Sequence, residues 1–392
     1  MTRPSALTTA SVGGFRVDVR EAAGAVADLG VLVPLAAALI LVNGLDAGSV
    51  LVCAGLLVIA SGIAFKIPFP VQPLKALTAV AVAQQLSPDV IHAAGLELGA
   101  FLLLLSIGHV ADLVARLFVK PVVRALQLGV GVLLLATSLK LVTDPPQVFA
   151  GTPGSPWPFL LAAAAFAGVA LAAHLRHYWG ALVLLGAGLV VTLLAARPEL
   201  DGPSLTLPSL GLPPASAFGT AFLLLVVPQL PLTFGNAVVA VNDLAHEYFG
   251  DGARRVTPSR VCLSAGIANL GSAFLGGMPM CHGAGGLTAH VRLGARTAGM
   301  NLLLGGTLLA TGLFFASEVP ALLGLLPVWV LAAFLAYAGL RHAWLVADLR
   351  GTSLAIALVA GVLGAWLGNL AVTAAIALVA EHARRLAVRA RA

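Results

Sequence analysis

Two stretches of the chain combine Pro or Gly with polar side chains inside otherwise continuous apolar sequence. They are Pro68-Phe-Pro-Val-Gln-Pro-Leu-Lys75 and Gly276-Gly-Met-Pro-Met-Cys-His-Gly-Ala-Gly-Gly286. Each interrupts one helical pattern and is followed by another. A helix that starts at such a break exposes its first N–H groups and the positive end of its dipole. Two such ends facing each other inside a bilayer make a site for an anion.

Gln72 and Lys75 stand at the opening of the first of these helices. An ionisable side chain within a span is costly and marks a site. The Lys75 side chain leans back toward the helix start, so its ammonium can reach the mouth. Snorkelling, or pairing with a carboxylate, is its alternative role. His282, Gly283, Gly285 and Gly286 hold the matching place in the second stretch. Glycines let an oxyanion approach backbone N–H groups closely. His282 can donate a hydrogen bond or take up a proton. The competing reading gives the glycines to helix packing and His282 to an interface. Cys281 reads as a small packing residue.

A third segment, Val227-Pro-Gln-Leu-Pro-Leu-Thr-Phe-Gly-Asn-Ala237, sets Gln229, Thr233 and Asn236 at roughly helical spacing. They share part of one face, beside two prolines that disturb the backbone. Their donors suit a dehydrated oxyanion, or else bond neighbouring helices. Asp28 is the one acid well inside the first apolar segment. It is a candidate for proton coupling or for a structural partnership with a donor. Lys66, Asn242 and Asp243 fall near span ends and read as anchors or gates.

These residues need a frame of membrane helices, and the composition supplies one. The 392 residues are 59% hydrophobic and 10% charged, with a mean hydropathy of +1.01. A soluble domain carries about 25% charged residues. An all-α integral membrane protein follows. Runs such as Gly129–Ala136 and Leu303–Ala316 do not alternate, which argues against a β-barrel. The net charge of +6 reflects basic residues scattered over short loops rather than a nucleic-acid partner. Cys53, Cys262 and Cys281 form no disulfide framework. The chain shows no phosphate-loop motif and no metal-ligand spacing, so no cofactor is expected. The polar first 23 residues lack the apolar core of a signal peptide. The chain stops about ten residues after its last apolar segment, so no regulatory domain is expected there.

Spans are expected near 22–42, 47–65, 70–84, 90–110, 122–142, 157–174 and 178–196. A second set is expected near 216–243, 258–275, 281–291, 297–316, 320–340, 351–367 and 369–383. The division is a terminal segment 1–21, a first repeat 22–196, a polar linker 197–215, a second repeat 216–383 and a basic tail 384–392. With the N-terminus inside, the inner loops hold Arg116, Lys120, Arg124, Arg176, Arg254, Arg255, Arg260, Arg292, Arg296, Arg341 and Arg350. The outer loops hold Asp46, Asp89, Asp144, Glu199, Asp201 and Glu318, with Lys140 and Arg197 as exceptions. This sorting puts both termini in the cytoplasm of a multi-pass protein of the cell (inner) membrane. Seven spans per half is an odd number, so halves that share a fold must insert with opposite topology. The third and tenth spans are then matching half-helices, a mark of secondary transporters.

Four segments resemble the molybdate transporters, a family distantly related to the sulfate permeases. They are Asp-Leu-Gly-Val-Leu-Val-Pro-Leu (28–35), Pro-Phe-Pro-Val-Gln-Pro-Leu-Lys-Ala (68–76), Gln-Leu-Pro-Leu-Thr-Phe-Gly-Asn-Ala (229–237) and Met-Pro-Met-Cys-His-Gly-Ala-Gly-Gly-Leu (278–287). The family usually has Gly where this chain has Ala27. The resemblance implies a seven-plus-seven inverted repeat of about 14 spans, with two half-helices meeting at the substrate. It implies secondary active uptake of a tetrahedral oxyanion, molybdate first and sulfate or tungstate as the alternative. Gln72, Lys75, Gln229, Thr233, Asn236, His282 and Gly283 are the expected substrate contacts. A homodimer is an assembly that this fold often takes.

Other functions fit less well. A nucleobase permease would place carboxylates for ring N–H groups, and the core motifs offer only Asp28. A membrane enzyme would need Cys281 with His282, or Asp28 with a His, and neither pair has nucleophile–base spacing. An anion channel on the same scaffold is not separable by sequence; conductance measurements separate it.

Overall fold

The computed structural model describes residues 14–108, 119–144, 158–174, 202–324 and 328–389, with isolated positions 110, 187 and 190. The expected seventh span near 178–196, with Arg116 and Arg176, falls outside the described residues.

Helix starts follow local chemistry. The Asp18 carboxylate accepts from the N–H groups of Arg20 and Glu21, at 2.9 Å each, and opens α1 (Val19–Leu41). Asp46 accepts from Ser49 N–H at 2.7 Å and opens α2 (Ala47–Phe65). That helix stops at Lys66, which takes a left-handed φ of 62°. The short α3 (Lys75–Ala83) follows, then α4 (Pro88–Leu105) and α5 (Lys120–Thr143), each with Pro in its first turn. Next comes α6 (Pro158–His174).

The second half opens with α7, a helical stretch running Ala215–Ala253. Its turns widen to π geometry at Phe222–Val226 and Thr233–Ala240, on either side of Pro228 and Pro231. Proline removes an N–H and crowds the preceding turn, so the backbone yields there. Then follow α8 (Pro258–Phe274), the short α9 (Ala284–Leu293) and α10 (Gly299–Phe314). The expected 320–340 span is two elements, α11 (Glu318–Gly324) and α12 (Val328–Trp344). Helices α13 (Gly351–Trp366) and α14 (Leu370–Arg389) complete the order. Among the described residues, five helices are long and apolar enough to cross a membrane: α2, α4, α5, α7 and the stretch Val328–Asp348.

The all-α expectation needs one correction. Gln72–Pro73 (β1) pairs antiparallel with Met280–Cys281 (β2), Gln72 opposite Cys281 and Pro73 opposite Met280. Proline at 68, 70, 73 and 279 keeps these segments extended, and extended backbone in apolar surroundings must find partners.

Packing crosses between the halves. Helix α2 lies along α10, α4 along α8, and α1 against α9 and α10. A second group joins α5 to α12, α13 and α14. Small residues permit these contacts. A Cβ on Gly55 would lie 2.7 Å from the Gly305 carbonyl oxygen, and one on Gly312 would lie 2.8 Å from Val52 N. The groups meet where α3 touches α5, and where Val227–Leu232 touches α5 and α14.

One carboxylate is committed to this architecture. Glu21 is buried, and it accepts from the N–H groups of Arg296 and Thr297 at 2.9 Å and of Met300 at 3.3 Å. These donors lead into α10. Glu21→Ala leaves them unpaired, an expected loss of about 3 kcal/mol for bonds to a charged acceptor. The check is the thermal midpoint in detergent, which should fall; an unchanged midpoint would deny the contact its weight.

Candidate functional site

The β1–β2 ladder brings the two chain breaks together. Beyond it each chain turns directly into a short helix, α3 after Leu74 and α9 after Gly283. Leu74 N–H donates to the Pro279 carbonyl at 3.2 Å, which ties one tip to the other. Neither helix has a side-chain cap at its first residue. The N–H groups of Lys75 and Ala76 on one tip, and of Ala284, Gly285 and Gly286 on the other, have no partner among the described residues. Uncapped N–H groups and the adjacent dipole ends favour negative charge.

Three expected site residues converge here. The Lys75 ammonium donates to Gln72 Oε1 at 2.8 Å. Both groups lie against the α-carbon of Gly283: a Cβ there would fall on Gln72 Oε1 and lie 3.5 Å from Lys75 Nζ. Glycine is thus required for the tips to approach this closely. Among the described residues no carboxylate is within ion-pair distance of Lys75.

The proline-rich part of α7 supplies the next layer. Gln229 is buried, its Oε1 accepts from Leu77 N–H at 3.1 Å, and its Nε2 donates to Thr233 Oγ1 at 3.1 Å. Gln229 therefore satisfies the third N–H of α3 and fixes the tip against α7. Thr233 reaches the tip only through Gln229. Asn236 lies on the π segment and Asp28 on α1, beside β1 and α3; their side chains lie outside the described residues.

His282 is placed differently from expectation. Its ring is fully buried, with Nδ1 2.9 Å from the Pro70 carbonyl oxygen and Nε2 3.1 Å from Ser264 Oγ. Phe69 and Phe65 pack on the ring, at centroid distances of 4.7 and 5.8 Å. Both nitrogens are engaged, so the ring braces the first tip's approach segment and offers no free donor to an anion.

Two asparagines missed by the sequence reading hold the extended segments. Asn269 on α8 donates to the Met280 carbonyl at 2.8 Å and accepts from Met280 N–H at 2.9 Å. Asn301 on α10 does the same for Phe69, at 2.7 and 3.0 Å. A side-chain amide serves each extended segment as a neighbouring strand would. An Asn within an apolar helix was the available signal, since it must find polar partners there. Asn269→Leu orphans both Met280 groups and is expected to cost about 2–3 kcal/mol, read as a lowered thermal midpoint. A midpoint equal to the parent's would make the brace dispensable.

A family model described as molybdate transporter of the MFS superfamily matches residues 20–134 and 221–341, ranges that include both tips and the proline-rich part of α7. Molybdate transporter 2 of Arabidopsis thaliana is 30% identical over 84% of this chain and 79% of its own length. Molybdate transporter 1 of Chlamydomonas reinhardtii is 31% identical over 84% of both. Among solved structures, the transmembrane domain of a cyanobacterium bicarbonate transporter, BicA, aligns with a TM-score of 0.64 at 17% identity, covering 92% of this chain and 96% of that one. The murine anion transporter Slc26a9, in its inward-facing state, aligns at 0.68 and 12% identity, covering 95% and 69%. The fold is the one these two transporters share.

Proposed function

The chain belongs to the molybdate transporter family, and from that premise we propose that it is a secondary transporter which takes up molybdate at the paired tips of α3 and α9. The observation that carries this reading is the convergence of Lys75, Gln72 and Gly283 where two uncapped helix ends adjoin. Each helix end contributes about half a positive charge, and with one ammonium the site offers about two. That equals the charge of a tetrahedral dianion, which could not be buried uncompensated.

The anion replaces Gln72 Oε1 as the partner of the Lys75 ammonium. Its oxygens accept from the N–H groups of Lys75, Ala76, Ala284, Gly285 and Gly286. Gln72 and Gln229 hold the first tip in place, Thr233 orients Gln229, and His282 supports the tip from behind. Asn236, on the π segment of α7, and Asp28, on α1, are further candidates for this site, Asp28 for proton coupling. The ladder makes both tips one block, so alternating access moves the group of α5, α12, α13 and α14 past them. The loop charges set both termini in the cytoplasm.

The test is binding and uptake in proteoliposomes with molybdate, tungstate and sulfate in competition. Saturable molybdate uptake without single-channel current is the expected result. Failure to bind any tetrahedral oxyanion would reject the reading, and a clear preference for sulfate would reassign the substrate.

A further inference from the structure

A groove of about 940 Å³ lies between α2 and α8. Leu56, Leu57 and Ala60 form one wall, and Leu263, Ile267 and Ala268 the other. The two helices run antiparallel along it. At one end Arg255 Nη1 donates to the Ala64 carbonyl at 3.4 Å; toward the other, Cys53 lies against Gly277. The α8 wall extends from Arg260 to Leu275. At 1.5 Å per residue that is about 22 Å, deeper than half of a hydrocarbon core about 30 Å thick.

The groove is chemically two-ended. Its walls are aliphatic, and Ile267 is 59% exposed. Its mouth carries Arg254, Arg255 and Arg260, all exposed. None of the three has a carboxylate partner among the described residues. An apolar helix would fill the walls and leave the three guanidiniums without an anion. A second copy of the chain would bring like charge to the same mouth. An anionic amphiphile satisfies both ends, because guanidinium pairs bidentately with phosphate and basic pockets between membrane helices suit acidic head groups.

We infer that the groove between α2 and α8 binds an anionic phospholipid, with its phosphate on Arg254, Arg255 and Arg260 and an acyl chain between the helices. The inference does not depend on what the tips bind. It does reach them, because two further groove residues touch the site's support. Phe65 stacks on Phe69 at 3.9 Å, and Ser264 Oγ meets His282 Nε2. The bound lipid presses on the brace that holds the first tip.

The test measures lipid retained by the purified full chain after delipidation and re-exposure to phosphatidylglycerol, phosphatidylcholine or soluble glycerol 3-phosphate. Phosphatidylglycerol should be retained at least tenfold over phosphatidylcholine and should raise the thermal midpoint. The triple variant Arg254→Gln, Arg255→Gln, Arg260→Gln should lose that preference. Ala268→Trp, which fills the groove, should lose retention with the arginines intact. If the triple variant does not fold, Arg260→Gln alone should reduce the preference. Equal retention of the two lipids would overturn the inference, as would an unchanged preference in the arginine variants. A midpoint rise from glycerol 3-phosphate matching that from the lipid would overturn it too, by removing any need for the chain.

Discussion

Lys75→Ala is expected to weaken molybdate binding by about 30-fold or more while leaving the anion-free protein nearly as stable as its parent. The size follows from removing one partner of a desolvated charge pair, about 2–5 kcal/mol, at about 1.4 kcal/mol per tenfold. The split between binding and stability is the informative part. Without an anion, Lys75 gives up only its hydrogen bond to Gln72, a contact worth about 1–2 kcal/mol. Lys75→Arg keeps the charge and should recover part of the affinity. Titration calorimetry beside thermal melts reads both quantities. Equal affinity in the parent and Lys75→Ala would take the ammonium out of the site.

Gly283→Ala tests the geometry instead of the charge. The added methyl falls where Gln72 Oε1 and the Lys75 ammonium now lie. Gln72 is 2% exposed, so it cannot simply swing aside. The tips must separate or the polar pair must move, and either removes the arrangement offered to the anion. Affinity is expected to drop at least about tenfold, the equivalent of about 1.4 kcal/mol of displaced contacts. Molybdate uptake should fall with it. Full uptake by Gly283→Ala would show that the close approach of the tips is not needed.

The outline of this arrangement was legible in the chain because prolines and glycines punctuate it. Pro68, Pro70 and Pro73 in one stretch, and Gly276, Gly277 and Pro279 in the other, cannot continue a helix, and the structure has extended backbone at both places. Lys75 stood out for the cost of an ammonium in apolar sequence. What the sequence hid depends on orientation in space. Nothing local tells that both nitrogens of His282 are engaged, one by Pro70 in the other half of the chain and one by Ser264 on the preceding helix α8. Helical spacing groups Gln229 with Thr233 and Asn236, but it does not show that the Gln229 amide caps α3, because its partner Leu77 lies about 150 positions away. Glu21 looks like an ordinary acid in a first helical turn, and only the fold shows it gathering three donors from the segment that leads into α10 and from its first turn. The π turns of α7 alter periodicity too little to be seen in hydropathy. The two-residue ladder is far shorter than any strand pattern.

The glycine contacts between α2 and α10 bear on how the protein is made. The ribosome releases α2 long before α10: roughly 250 residues separate Gly55 from Gly305, and at about 5–20 residues per second the delay is on the order of 10–50 s. Throughout that interval the emerging N-terminal helices lack the surfaces against which they finally rest, and so does α4, which awaits α8. Biogenesis therefore depends on the insertion machinery, or the surrounding lipid, sheltering an unfinished half until its counterpart arrives. A nascent chain cut off before α8 and α10 lacks both of these partner surfaces and cannot complete the packing.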